Sequence, residues 1–81
     1  MLKELLESIV ASLVEHPEEI SVTETEKEND HILFELRVAE SDMGKVIGKQ
    51  GRIAKAIRTV MKAAATGENK KVTVDILEPE E

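Results

Sequence analysis

The sequence predicts an α+β domain in which a three-stranded sheet packs against three helices, in the order α-β-β-α-α-β. Three observations carry this. Apolar residues between positions 2 and 14 fall on one helical stripe. Three separate segments are rich in β-branched residues and alternate with a period of two. Two helical stretches joined by a glycine-rich turn stand between the second and third of those segments. At 81 residues the chain is expected to form a single domain, 1–81, with a small core.

The first helix is expected over residues 2–15, because Leu2, Leu5, Leu6, Ile9, Val10, Leu13 and Val14 follow the 3-4-3-4 spacing of a buried stripe. His16 precedes Pro17 and is thereby pushed out of the helical region, so it ends the helix as a polar terminator. Residues 20–25 alternate as a half-buried strand, and Lys27, Glu28, Asn29 and Asp30 supply a polar turn. A second strand follows over 32–38, with Ile32, Phe34, Leu36 and Val38 on one face, which makes an antiparallel hairpin. His31 is expected at the surface, since no second histidine or acid stands at metal-ligand spacing.

Ser41 and Asp42 offer an N-cap and an early acid for a short helix through Ile47. A turn over 48–51 leads into a longer helix over 52–65, closed by Thr66 and Gly67, with glycine in the left-handed cap position. On that helix Ile53, Ile57, Val60, Met61 and Ala64 are expected on the buried face, opposite Arg52, Lys55, Arg58, Thr59 and Lys62. A third strand over 71–77 and an acidic tail over 78–81 complete the chain.

Composition removes several function classes. Cysteine is absent, so disulfides, thiolate metal sites and cysteine nucleophiles are excluded. No apolar run suits a signal peptide or a membrane helix, which implies a cytoplasmic protein that does not engage membrane. No nucleophile–base set or paired acids stand out, so no enzyme, cofactor or metal is expected. The net charge of −6 is unevenly spread. Residues 43–67 carry six cations (Lys45, Lys49, Arg52, Lys55, Arg58 and Lys62) and no acid, while the other 56 residues carry 5 cations and 17 acids, a balance of −12. Phe34 is the one aromatic residue and lies in an apolar run, so base stacking on exposed rings is not available.

Three of the four glycines lie in Gly44-Lys45-Val46-Ile47-Gly48-Lys49-Gln50-Gly51-Arg52. A phosphate-binding P-loop needs four residues between its first glycine and Gly-Lys, whereas three separate Gly44 from Gly48, and Gln50 stands where Ser or Thr should follow. The dinucleotide fingerprint needs glycine where Val46 stands. What remains is Gly-x-x-Gly between two helices. Glycine lets backbone approach a ligand closely, and the helix starting at Arg52 offers unsatisfied N–H groups and the positive end of its dipole. Lys49, with Lys45 and Arg52 beside it, adds cations suited to phosphates.

Embedded in Val46-Ile47-Gly48-Lys49-Gln50-Gly51-Arg52-Ile53, within a strand-helix-helix-strand unit, this turn resembles the Gly-x-x-Gly loop of a KH domain. The extra N-terminal helix and strand are similar to the type II KH arrangement. The Leu-rich first helix, the stretch from Asp42 to Arg52 and Ala54-Lys55-Ala56-Ile57-Arg58 resemble the KhpA family of small bacterial single-KH proteins over essentially the whole chain.

The resemblance implies that Gly48, Lys49, Gln50 and Gly51 clamp the backbone of about four single-stranded nucleotides. It also implies that Ile47, Ile53 and Ala54 wall an apolar groove for bases. With the neighbouring cations, the candidate RNA-binding set is Lys45, Ile47, Gly48, Lys49, Gln50, Gly51, Arg52, Ile53 and Lys55. Ala54 stands where many KH domains carry a large aliphatic residue, which implies a shallower groove. The resemblance further implies a homodimer, a larger KH-containing partner of the KhpB (Jag or EloR) type, and post-transcriptional regulation, with RNA chaperone activity, linked to cell elongation and division. One small site on an acidic body implies affinity of roughly 10⁻⁴ to 10⁻⁶ M at physiological salt. The alternative expectation is a KH-fold protein-interaction module with little RNA binding, which the acidic remainder favours.

Overall fold

The computed structural model describes residues 1–78. Its elements are helix α1 (Leu2–Ala11), strands β1 (Ser21–Lys27) and β2 (His31–Arg37), helices α2 (Met43–Ile47) and α3 (Arg52–Gly67), and strand β3 (Lys71–Ile76). Short 3₁₀ turns occupy Pro17–Glu19, Glu40–Asp42 and Lys49–Gly51. The expected order, three helices on a three-stranded sheet, is what the chain adopts.

The sheet runs β1-β2-β3. β1 and β2 pair antiparallel from Ser21↔Arg37 to Lys27↔His31. Their connection places Asn29 and Asp30 at φ of 62° and 59°, and these two residue types tolerate the left-handed region that tight hairpin turns need. β2 and β3 pair parallel, from His31↔Lys71 to Leu36↔Ile76. Parallel neighbours require a crossover, and α2, the 48–51 turn and α3 together form it. This topology puts the glycine turn beyond the end of β2 and brings the far end of α3 back to the start of β3.

Packing follows the side-chain periods. Ile32, Phe34 and Leu36 of β2 share a face with Val22 of β1 and with Val72, Val74 and Ile76 of β3. Leu6 and Val10 of α1, Val46 of α2 and Met61 and Ala65 of α3 close over that face, and all five are fully buried with Phe34 and Leu36. Each large side chain among them contributes roughly 1.5–3 kcal/mol through area removed from water.

Several boundaries differ from expectation, each for a physical reason. α1 stops at Ala11 instead of continuing through residue 15: Leu13 N–H bonds the Val10 carbonyl in place of that of Ile9, which accepts from the Ser12 hydroxyl, and further on the N–H groups of Glu15 and His16 donate to the carboxylate of Asp42. Asp42 therefore does not cap α2, which has no side-chain cap. β1 extends to Lys27 and buries Val22 alone; as an edge strand it carries Glu24 and Glu26 on the same side as Phe34 and Ile32, where solvent reaches them. β2 starts one residue earlier than expected and ends at Arg37, leaving Val38 and Ala39 buried just beyond it.

On α3 the buried stripe is Ala54, Ile57, Met61 and Ala65, and Val60 is 47% exposed. Gly67 belongs to the helix itself, and the left-handed residue after it is Asn69, at φ 59°. Asn69 N–H donates to Thr66 and Lys70 N–H to Ala65, a complete two-bond helix terminator built on asparagine. The acidic tail, beyond an exposed Glu78, lies outside the described residues.

Candidate nucleic-acid interface

The glycine turn is built from four residues with three unusual backbone conformations. Gly48 adopts φ 74° and ψ 177°, a combination essentially confined to glycine. A Cβ on Gly48 would stand 2.6 Å from Cγ1 of Ile53, so space forbids a side chain there as well. Gln50 (φ 59°, ψ 26°) and Gly51 (φ 74°, ψ 14°) are both left-handed, and the chain then enters α3. Gly51 has open space where a Cβ would be, so its backbone conformation alone calls for glycine. Gly48 N–H closes α2 on the Gly44 carbonyl at 2.9 Å, and Gly51 N–H bonds the Gly48 carbonyl at 3.2 Å.

The consequence is an exposed turn. The side chains of Lys49, Gln50, Arg52 and Lys55 are all exposed around it. Arg52 Nη2 donates to Gln50 Oε1 at 3.3 Å, which folds the guanidinium back over the turn. A helix start and three exposed cations are chemistry suited to a chain of phosphodiesters.

Of the nine candidate residues, the structure gathers Gly48, Lys49, Gln50, Gly51, Arg52 and Lys55 at this turn, with Ile47 beside it at 36% exposure. Lys45 and Ile53 are placed differently. The Lys45 ammonium sits 3.7 Å from Glu15 Oε1 and 3.8 Å from Asp42 Oδ1, so its charge is directed inward. Ile53 is half-buried against the core and under Gly48, where it supports the turn from below.

Asp42 is the one fully buried charged residue among those described. Its Oδ1 accepts from Glu15 N–H at 3.1 Å and its Oδ2 from His16 N–H at 3.0 Å. Burial pushes the carboxyl pKa up, but these two hydrogen bonds, the His16 ring and the Lys45 ammonium outweigh burial, and the net shift is downward.

Sequence reasoning found the basic face of α3 but not the cleft beside it that continues from the turn. Lys55, Arg58 and Lys62 recur at helical spacing along α3, which is about 24 Å long over its 16 residues. A cavity of about 280 Å³ lies between α3 and β3, lined by Arg58, Lys62, Val72, Thr73, Val74 and Asp75. A neighbouring cavity of about 470 Å³ adds His31, Thr66, Lys70 and Lys71. Lys71 and Leu77 turn their N–H groups toward β2, so by alternation Val72, Val74 and Ile76 turn theirs to the outer edge of β3. Arg58 Nε meets that edge at the Val74 carbonyl, 3.1 Å away. The signal for this surface lay in the chain: a parallel crossover must return α3 to the start of β3, which brings the Lys70-Lys71 pair, just past Glu68, beside Lys62.

Among the described residues, His16, Glu18 and Glu19 form the one group whose potential metal-ligand atoms lie within 4.8 Å of one another, and all three are exposed. His16 Nδ1 lies 3.4 Å from Glu18 Oε2, an ion pair when the imidazole is protonated. No helix among the described residues is long and apolar enough to cross a membrane.

Comparison with known proteins places these features in context. The model of the family described as KhpA/KhpB, KH domain, matches residues 3–76. The chain is 62% identical over 76 residues to the RNA-binding protein KhpA of Clostridium acetobutylicum, covering 94% of this chain and all of that protein. It is equally similar, at 62% over 76 residues, to the RNA-binding protein KhpA of Clostridium perfringens, with the same coverage of both chains. The counterpart in Listeria monocytogenes is 47% identical over 77 residues, 95% of this chain and 100% of its own.

Proposed function

The chain belongs to the KhpA/KhpB family of KH domains, and from that premise we propose that it grips single-stranded RNA through the 48–51 turn. Its element order and mixed sheet are the type II KH arrangement. The observation that carries the proposal is the turn itself, with Gly48, Gln50 and Gly51 at positive φ and Lys49, Gln50 and Arg52 exposed on it, at the head of a basic line running down α3. RNA phosphates bind the turn and Arg52. Bases lie against Ile47 and along the cleft between α3 and β3, where the outer edge of β3 offers hydrogen-bonding groups. Lys55, Arg58, Lys62, Lys70 and Lys71 follow the strand. The work is binding, not catalysis.

The relatives are named RNA-binding proteins, which supports the same ligand here. In cells we infer a cytoplasmic homodimer that also pairs with a KhpB-type KH protein and regulates transcripts linked to cell elongation and division. Two joined sites raise avidity without any new contact. Val60, exposed on α3 between the exposed Ala56 and Ala63, is the apolar residue there that a second copy would cover with most gain.

The decisive experiment is fluorescence anisotropy with a labelled randomised single-stranded RNA octamer, over a range of salt, for wild type and for Lys49→Asp combined with Gln50→Asp. Binding that weakens with salt and vanishes in the folded double variant is expected. No binding by wild type even at low salt would leave the second reading, a protein-interaction module, which the charge of −12 outside residues 43–67 favours.

A further inference from the structure

We propose that Asp42 is a positioning residue for the RNA-binding turn, acting as a buried clamp that decides where α2 points. This deepens the RNA-binding proposal and rests on it for its ligand. The clamp sits six residues before Gly48. α2 spans five residues between the two, and Val46 is its one fully buried side chain. So short a helix gains little stability of its own, and tertiary anchors must fix it. Val46 anchors its middle. Asp42 anchors its start, with its own N–H bonded to the Ala39 carbonyl at 2.8 Å and its carboxylate holding Glu15 and His16.

The partner segment has an alternative. The apolar period of α1 runs on through Leu13 and Val14, and a continued helix would bond Glu15 N–H to the Ala11 carbonyl. Asp42 captures both N–H groups instead, and the chain leaves the helical path after Val14, whose N–H still reaches back to Val10. Release of the clamp therefore lets Glu15 N–H return to the Ala11 carbonyl and frees the start of α2. A helix of about 1.4 turns carries that displacement directly to Gly48. Two residues far apart in sequence thus set the aim of Lys49 and Gln50.

Electrostatics and positioning predict opposite signs for one substitution. Asp42→Asn changes the net charge from −6 to −5 and releases Lys45 from a negative partner, so charge alone predicts tighter RNA binding. Positioning predicts weaker binding, by roughly tenfold, because an amide cannot accept both N–H groups and a loosened receptor loses affinity. The test pairs anisotropy of the labelled RNA octamer with ¹⁵N–¹H spectra of the free proteins, at a temperature where far-UV circular dichroism shows each variant folded. Amide shifts of residues 48–51 and faster exchange at Glu15 and His16 are expected in Asp42→Asn. Glu15→Pro removes one donor while keeping the Asp42 carboxylate, and in it the same amide shifts at residues 48–51 and faster exchange at His16 are expected if Asp42→Asn does not fold. A folded variant with unmoved loop amides, or with RNA binding equal to or tighter than wild type, overturns the proposal. Should wild type bind no RNA while the loop amides still move, the clamp stands and the RNA-binding proposal falls.

Discussion

Ile53 lies directly under Gly48: a Cβ on the glycine would meet the isoleucine side chain at 2.6, 2.9 and 2.9 Å. The two residues are locked as a pair, a strained backbone above and a half-buried aliphatic below. Gly48→Ala therefore meets both a forbidden φ of 74° and an occupied space, and the destabilisation is expected at about 2–4 kcal/mol. Gly51 shares the φ but has open space around it, so Gly51→Asn is expected to cost less than about 1 kcal/mol. Urea denaturation midpoints compare the two; equal losses would show that the contact with Ile53 is not what constrains position 48.

The fold was legible because its signals were local. The stripe at Leu2, Leu6 and Val10, the alternation through Ile32, Phe34 and Leu36, and the spacing of Gly48 and Gly51 each rest on near neighbours in sequence. What sequence reasoning misplaced depended on distant partners. Asp42 has the residue type and position of a helix cap, and only the three-dimensional path of the chain brings Glu15 and His16 to it. Val60 fits the helical period as well as Met61 does, but the sheet is only three strands wide and the described residues leave it 47% exposed. At Asn69 the left-handed cap fell two residues beyond the glycine that would take it most easily. The turn was found correctly, while the cleft along β3 needed the parallel pairing to be known.

Lys45 and Lys49 belong to one cation cluster in sequence, yet they should contribute differently to RNA binding. Lys49 is exposed in the turn and has no ion-pair partner among the described residues, whereas Lys45 faces Glu15 and Asp42. Lys49→Ala should reduce the slope of log K against log salt by about 0.7, the single-strand value for one phosphate contact. Lys45→Ala should change the slope by less than half as much. The same anisotropy titrations at several salt concentrations decide this, and a larger slope change for Lys45 would place its ammonium on the RNA.

Val60 provides a test of self-association that leaves the RNA site untouched. An aspartate at an exposed helix position costs the monomer little, at most about 0.5 kcal/mol. Buried in a dimer, the same carboxylate would be unpaired and disruptive. Val60→Asp is accordingly expected to shift the mass measured by light scattering from dimer to monomer, with an unchanged circular dichroism spectrum. RNA affinity should fall only by the avidity lost. A monomeric wild type, or a variant that remains dimeric, would remove Val60 from the interface.

Asp42 should leave its mark on acid stability. Its carboxyl titrates below the ordinary value of 3.8 in the folded chain, because the hydrogen bonds from Glu15 and His16 and the charges of His16 and Lys45 outweigh burial. A depressed folded-state value means the unfolded chain binds its proton first as pH falls. The stabilisation is therefore complete above about pH 5 and is lost as pH drops below 3.8 through the lowered value. Other acids titrate in the same range, but they are common to wild type and Asp42→Asn and cancel in the difference. Urea midpoints at pH 7, 5, 4, 3 and 2 for both proteins isolate the single carboxylate. The gap between them should stay constant from pH 7 to 5 and narrow below 4. A gap that remains constant down to pH 2 would mean that the charge on Asp42 contributes nothing, and that the clamp works through shape alone.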